Sequence, residues 1–552
     1  MKKLVSRWPG FHLLAVAAWL GCLVQIISAP AAQASSDLPF HHWAYDVIDR
    51  LTAMNIIDRA MLTQRPYSRM QAAKSVARAI ELIRADKIAI DGREVVAEPL
   101  LERLMGEFRP ELIRLEVIRA TPEDKSGPVR VGARATTEFN AFFIGGGQTV
   151  RFRENRGGEY YANGVNNQTY VRGWLEVNDW AALMIEPKFI SDRHTLGIGA
   201  TNNSQNFYLR EFILKLSYAN IALEAGRGML WWGPGYHGSL LLTNHAFPLD
   251  MIKLGSDQPF RLPWVLRELG EWKVNSFLTQ LEKDRDFSRA KIFGLRLSWL
   301  PANWLEIGLT RLTQFDGEGR DQKFPDIIFD SYVSEANQEA GREVNEQAMV
   351  DFRARIPKVP YLIPFPAGLQ LYGELGTEDK WSQLPIPSRA AILAGIYIPQ
   401  VFEDDTLDLR IEFADTDLSR QRHPELTRVW YNHGTYTSGM RYRGFPIGHH
   451  MGTDGIDFFV RSSRFLTESL QIGANFNIQE RDRSQPVHEQ KREAAMDLTW
   501  WYSSRTQFTV GYTFQRLTNP GQVTSINPFV ETFAAGVTAN NHLLWTALAV
   551  TF

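Results

Sequence analysis

HLLWTALAVTF, residues 542–552, alternates in character with a period of two. Leu544, Thr546, Leu548, Val550 and Phe552 fall on one face, and this face carries no charge. Successive side chains of a β-strand point to opposite sides of the sheet, so the pattern predicts a strand with one apolar face.

The same alternation recurs upstream, in VRVGARATTEFNAFF (129–143), LDLRIEF (407–413), LQIGANFNIQ (470–479) and TQFTVGYTFQ (506–515). The first of these is longer than the roughly 5 to 6 residues of an ordinary soluble strand. Membrane strands need about 9 to 11 residues, with an apolar face toward lipid and a polar face toward the lumen. The repeated pattern therefore predicts a mainly β protein, a transmembrane antiparallel β-barrel in contact with outer-membrane lipid.

Residues 129–552 are assigned to this barrel. About 24 residues per strand and connection predicts roughly 18 strands, and 16 is nearly as compatible. The strand that ends at Phe552 is similar to the C-terminal signature of bacterial outer-membrane barrels, so Phe552 is predicted to be the signal that the barrel assembly machinery recognises. Long polar connections such as 414–455 are expected to be extracellular loops.

The first 34 residues are typical of a secretory signal peptide. Lys2, Lys3 and Arg7 precede the apolar run LLAVAAWLGCLVQII (13–27), and Ala32-Gln33-Ala34 supplies a cleavage site. The apolar run is shorter than the roughly 20 residues of a spanning helix. The single cysteine, Cys22, lies within this segment, so no disulfide framework is expected.

Residues 35–121 have helical periodicity and predict a small periplasmic helical bundle of three short helices. The turn-rich segment 122–128 is the expected linker to the barrel. The piece from His41 to Glu81 resembles the S-layer homology module, which implies attachment of residues 37–121 to cell-wall polymer such as peptidoglycan. A bundle that only caps the barrel is the alternative.

Overall composition excludes several classes of protein. The formal net charge is −2, which gives no indication of nucleic-acid binding. No run of 18 apolar residues follows the signal segment, so helical membrane spans are not expected. Mean hydropathy is −0.25, a value that a soluble protein and a membrane barrel can share.

The stretch GRGMLWWGPGYHGSLLLTNHA, residues 226–246, has neither a helical nor a two-residue period. Together with QPFRLPWVLRELGEWKV and the later RGFPIGHHMGTDG (443–455), it resembles the capsule assembly Wzi family. The resemblance implies an 18-stranded outer-membrane barrel with a periplasmic helical bundle, acting as a lectin that retains surface or capsular polysaccharide. Residues 228–281 are then either a plug or a long loop.

Aromatic faces can pack against sugar rings, while polar and cationic groups bind hydroxyls and carboxylates. The predicted polysaccharide-binding residues are Arg227, Trp231, Trp232, Tyr236, His237, Asn244, Arg261 and Arg267. Packing of the tryptophans within a plug is the alternative interpretation. A diffusion porin for sugars or anions is the competing function.

No enzyme, metal site or cofactor is predicted. Ser239 lacks a nucleophile elbow, and no glycine-rich phosphate-binding loop follows a strand. The residues of the pairs His41-His42 and His449-His450 are adjacent; neighbours on a strand point to opposite faces and do not by themselves form a metal site.

Overall fold

The computed structural model describes residues 34–88, 94–122, 124, 127–191, 194–196, 206–320, 322, 343–356, 367–378, 390–401, 404–421, 426–522 and 532–552. Within these ranges, eighteen strands form one closed barrel in which each strand is antiparallel to its neighbours in the chain. The last strand pairs with the first, from Arg134 opposite Thr551 to Phe143 opposite His542. The predicted fold class, with about 18 strands, is confirmed.

The barrel strands, numbered in chain order, are β1 (Val129–Phe143), β2 (Gly164–Val177), β3 (Ala181–Ile190), β4 (Phe207–Tyr218), β5 (Ile221–Gly228), β6 (Leu249–Ser256), β7 (Glu271–Gln280), β8 (Lys291–Ala302), β9 (Leu305–Phe315), β10 (Asn345–Ile356), β11 (Leu369–Glu378), β12 (Ala391–Ile398), β13 (Leu407–Asp415), β14 (Ile456–Thr467), β15 (Leu470–Arg481), β16 (Glu489–Trp501), β17 (Thr506–Thr518) and β18 (Thr538–Thr551).

The alternation in the sequence separates the two faces of the barrel wall. On β1, Val131, Phe139 and Phe143 are exposed on the outer face, whereas Glu138 and Asn140 are buried on the inner face. On β13 the outward Phe413 is likewise exposed, and the inward Glu412 is buried. The wall therefore has the apolar exterior and polar interior of a membrane barrel.

Short connections lie at one end of the barrel and long ones at the other. The turns at 178–180, 219–220 and 303–304 join consecutive strands at the end that also carries the start of β1 and the end of β18. In outer-membrane barrels the short turns are periplasmic and the long loops extracellular. We use these names for the two ends below.

Four helices in the described chain precede the barrel: α1 (Ala44–Ala53), α2 (Arg69–Arg84), α3 (Glu94–Glu107) and α4 (Arg109–Arg114). They share an apolar cluster with Phe465 and Trp501, which lie near the periplasmic ends of β14 and β16. No helix among the described residues is long and apolar enough to cross a membrane. The predicted signal peptide, apart from Ala34, and part of the linker lie outside the described residues.

The N-terminal segment also reaches into the lumen, where it contacts the inner face of the barrel wall. Asp49 on α1 accepts hydrogen bonds from the guanidinium groups of Arg353 and Arg410, on β10 and β13. Thr63 donates its hydroxyl to Glu306 Oε1 at 2.6 Å and accepts from Arg296 at 2.7 Å. These contacts join the N-terminal segment to the inner face of the wall, so bundle and barrel form one structure.

Two connections from the extracellular end also fold into the lumen. Residues 229–248, between β5 and β6, and residues 416–421 and 426–455, between β13 and β14, contribute 16 of the 34 buried residues of a second apolar cluster. The range 228–281 proposed for the plug was too long, because Leu249–Ser256 and Glu271–Gln280 are barrel strands. The expectation that 414–455 is a purely external loop was also wrong, because it packs against the first insertion. We call residues 229–248 and 416–455 the first and second plug segments.

Candidate functional site

The first plug segment is held by two carboxylates of the barrel wall. Glu374 on β11 accepts hydrogen bonds from the backbone N–H of Gly235 at 3.1 Å and of Leu240 at 2.7 Å. Glu412 on β13 accepts from the backbone N–H of Tyr236 at 2.6 Å and of His237 at 2.9 Å. Backbone groups buried in a loop need such partners, so these carboxylates fix the path of the turn.

The glycines of this turn are required by close contacts. Gly233 has φ +137°, and a Cβ there would lie 2.2 Å from Glu374 Oε1. A Cβ at Gly238 would lie 2.2 Å from the ring of His449 in the second plug segment. The Trp-Trp-Gly-Pro-Gly sequence therefore forms a compact turn against the wall and against the other plug segment.

The adjacent tryptophans lie where the plug meets the N-terminal segment. Trp231 and Trp232 pair as a short antiparallel strand with Arg65 and Gln64. Trp232 is 1% exposed and packs edge-on against Phe277 of β7, with ring centroids 5.2 Å apart. Trp232 therefore packs in the interior, as the alternative interpretation expects, whereas Trp231 also borders a cavity.

That cavity has a volume of about 520 Å³ and lies in the lumen. Trp231, Tyr236, His237 and Asn244 of the first plug segment line one side of it. Strands β14 to β18 line the other side with polar groups, among them the side chains of Asn475, Gln507, Thr509, Gln515 and Asn541. Six arginines, among them Arg153, Arg156 and Arg461, also border it, together with five carboxylates.

The structure therefore brings only some of the predicted site residues to the cavity. Arg227 lies on the outer face of β5, where it forms an ion pair with Asp250 at 2.8 Å. Arg261 pairs with Glu271 near the periplasmic end, and Arg267 lies in a short 3-10 helix in the same connection. These three arginines do not line the cavity, because Arg227 lies on the outer face of the wall and the other two lie in the connection between β6 and β7.

The structure adds residues that the sequence did not indicate. The wall amides and Arg153 come from strands and a loop far from the plug in sequence, so no local motif marks them. Their inward position follows from the alternation along β15, β17 and β18. The sequence does not show where the plug lies, and the position of the plug determines which wall residues line the cavity.

Four histidines meet beside the cavity. His237 Nδ1 lies 2.9 Å from Asp457 Oδ1, and its ring stacks on Phe459 with centroids 4.0 Å apart. His450 packs edge-on against His237 at 4.6 Å and stacks on His449 at 4.4 Å. His245 lies 5.9 Å from His450. His449 and His450 lie in a plug loop, so the strand alternation assumed for them does not apply.

Most of these imidazoles are neutral at pH 7. Burial lowers the pKa of His245 and of His450 to about 3. Burial also acts to lower the pKa of His237, but the adjacent Asp457 outweighs it and the pKa is raised. The cluster thus combines neutral rings with one ring that the aspartate favours in its charged form.

The chain matches a protein family and a related protein in sequence. Residues 145–527, more than half of the chain, match the family model of the capsule assembly protein Wzi. An uncharacterized 55.8 kDa protein in the cps region of Klebsiella pneumoniae is 30% identical over 259 residues, 46% of this chain. The match spans about half the length of that relative, 49%.

A solved structure has the same fold over nearly the whole chain. It is Wzi of Escherichia coli, described as a carbohydrate-binding β-barrel of the outer membrane involved in group 1 capsule assembly. The TM-score is 0.64 at 18% identity, covering 94% of this chain and 99% of that one. The family match, the plugged eighteen-strand barrel and the N-terminal helices agree with one another: the chain belongs to the capsule assembly protein Wzi family.

Proposed function

We propose that this protein is an outer-membrane lectin that assists assembly and surface attachment of a capsular or other surface polysaccharide. The related Escherichia coli barrel is described as carbohydrate-binding. In this chain the observation that carries the proposal is the lumen cavity, whose lining of aromatic rings, amides, six arginines and five carboxylates can bind the ring faces, hydroxyls and carboxylates of a sugar.

Several polar atoms at the cavity lack partners within the protein. Trp231 Nε1, Asn155 Oδ1 and Asn244 Oδ1 are buried and have no hydrogen-bond partner among the described residues. All three side chains line the cavity. A buried donor or acceptor of this kind gains a hydrogen bond when a sugar hydroxyl reaches it. A volume of about 520 Å³ falls within the usual range of ligand pockets.

The cationic side chains favour an acidic polymer. Arg153 lies over the ring of Trp545, with its guanidinium carbon 5.4 Å from the ring centroid, and donates to Asn140 Oδ1 at 3.0 Å. A guanidinium beside an aromatic face can bind a uronic or pyruvyl carboxylate while the sugar ring packs on the indole. A long polymer gains retention by multivalency, so each contact can be weak.

Binding of the purified barrel to purified acidic capsular polysaccharide tests the proposal. We expect Arg153→Gln and Gln515→Ala to weaken binding about 10-fold each, the size expected for loss of a charge-assisted hydrogen bond or of a buried one. Arg492→Gln and Gln490→Ala on the exposed outer face of β16 are the matched controls. Equal binding by the cavity variants and the controls would contradict a lectin site in the lumen.

The porin alternative is distinguished by ion conductance in a planar bilayer. The plug segments and residues 44–73 occupy the lumen from opposite ends and pair at Trp231–Trp232. We therefore expect no steady conductance from the full chain. A large, constant conductance would favour a diffusion porin for sugars or anions.

A further inference from the structure

Three side chains with metal-binding chemistry converge from three separate parts of the chain. His237 belongs to the first plug segment, His450 to the second, and Asp457 to the barrel strand β14. One ligand atom of each lies within 4.8 Å of the others. It is the one group of this kind that the described part of the chain contains.

The second observation is the state of His450. Its side chain is 0% exposed, and neither ring nitrogen has a hydrogen-bond partner among the described residues. The nearest carboxylate oxygen, Asp457 Oδ2, is 3.5 Å from Nε2. A fully buried imidazole whose nearest acceptor is 3.5 Å away makes no close hydrogen bond, so a ligand that binds one of these nitrogens removes a penalty that the fold otherwise carries.

The carboxylate is oriented by neighbours, as a metal-binding carboxylate is. Asn477 donates to Asp457 Oδ2 at 2.9 Å, and Gln479 donates to the same oxygen at 3.1 Å. Both come from β15, the strand next to Asp457 in the wall. On the other side, the backbone N–H of His237 is held by Glu412. Hydrogen bonds from neighbours that do not themselves touch the metal fix the orientation of the ligand side chains and tune the affinity for the metal.

We propose that His237, His450 and Asp457 bind one divalent transition-metal ion, of the class that imidazole and carboxylate prefer, with Zn²⁺ as the first candidate. Zn²⁺ bonds of about 2.0 to 2.2 Å place neighbouring ligand atoms roughly 3.3 Å apart in a tetrahedral site. The present separations therefore need only side-chain adjustments of about 1 to 2 Å.

The ion would join both plug segments to the barrel wall. Three protein ligands leave a fourth position of a tetrahedral site for water or another oxygen ligand. Of the three ligand residues, His237 also lines the lumen cavity. The metal proposal does not depend on polysaccharide binding, because its ligands and their supports belong to the plug and the wall.

Metal content of the purified full chain tests the proposal. After chelation, re-loading with ZnSO₄ and desalting, we expect one equivalent of Zn²⁺ in the wild type by mass spectrometry. His450→Gln and Asp457→Asn should lose it, and Asn477→Ala should lower affinity about 10- to 100-fold as a supporting residue. His542→Ala, which removes a half-buried histidine on β18, is the matched control and should bind as the wild type does.

Two further readouts keep the outcome clear if a variant folds poorly. Co²⁺ bound by the wild type should give the visible absorption of a low-coordinate nitrogen and oxygen site, and His542→Ala should give the same spectrum. Zn²⁺ but not Mg²⁺ should raise the thermal transition of the wild-type barrel, because a ligand that binds only the folded state stabilises it. No retained Zn²⁺ in the wild type, or equal retention by His450→Gln, would overturn the proposal.

Discussion

Trp232 anchors the first plug segment against the barrel wall. Its side chain is 1% exposed and lies against Phe277 of the wall. Truncation of a buried tryptophan leaves a cavity, and Trp232→Ala is expected to cost about 3 to 5 kcal/mol of unfolding free energy. Trp500→Ala on the outer face of β16 is the control and should cost much less, because Trp500 is 45% exposed. Similar losses in detergent unfolding would mean that Trp232 does not anchor the plug.

His42 gives the N-terminal segment a dependence on pH. It lies 3.5 Å from Glu107, yet burial outweighs that carboxylate and lowers the pKa of His42 to about 4. The unfolded chain, with a histidine pKa near 6.5, therefore binds more protons than the folded chain as the pH falls from about 6.5 to 4. Stability present above pH 6.5 is lost over this window.

The corresponding measurement is thermal unfolding between pH 7.5 and pH 4. His42→Gln should make the decline below pH 6.5 less steep, because the replacement does not titrate there, while His245 and His450 still contribute. Glu107, whose pKa is lowered with Arg69 and His42 as its favourable partners, should leave a residual decline below about pH 4.5. An unchanged pH profile in His42→Gln would assign the decline to other groups.

Phe552 stays a predicted assembly signal. Its side chain is 72% exposed on the outer face, and its backbone N–H donates to Ala133 at 2.8 Å across the closing seam. Because the ring makes little contact within the barrel, its deletion should lower the amount of assembled barrel in the membrane more than its stability. Heat-modifiable mobility on gels measures both the amount of assembled barrel and its stability to heat. Full assembly of the deletion variant would contradict the prediction.

At the scale of elements, the strands could be predicted and the plug could not. Each residue of β1 or β13 faces either lipid or the lumen, so its character repeats with the period of the strand. The plug segments have no such period, because each of their residues is placed by its own contact, as Gly233 is by Glu374. The insertion of residues 34–73 into the lumen could not be predicted for the same reason.

The candidate site was predicted only in part for the same reason. Trp231, Tyr236, His237 and Asn244 lie in one conspicuous stretch, and they do line the cavity. Arg261 and Arg267 are close to that stretch in sequence, but barrel strands carry them to the periplasmic end. His237 and Asp457 are separated by 220 residues, a distance over which a sequence alone shows no pairing.

The N-terminal segment is expected to close the periplasmic end of the lumen. Its residues 44–73 make the buried contacts of Asp49 and Thr63 with the wall. A chain lacking residues 34–122 should therefore conduct ions in a planar bilayer, whereas the full chain should not. A folded deletion variant as silent as the full chain would contradict this role. Peptidoglycan binding by 37–121 stays a separate prediction, testable by a pull-down with the full chain.

At the scale of the whole molecule, the barrel is filled from both ends. One apolar cluster closes each end, and the polar cavity lies in the lumen beside the plug. A filled barrel suits retention of a polymer better than diffusion of small solutes. Retention of polysaccharide at the cell surface is the task that the proposed function assigns to this protein.

The most direct test is the partition of surface polysaccharide between cells and medium in a deletion strain. We expect the deletion strain to release most of its polysaccharide, and the wild-type chain to restore the cell-bound fraction. The Arg153→Gln, Gln515→Ala double variant should restore it less than the Arg492→Gln, Gln490→Ala control at equal barrel content. A deletion strain that keeps all of its polysaccharide cell-bound would contradict the account.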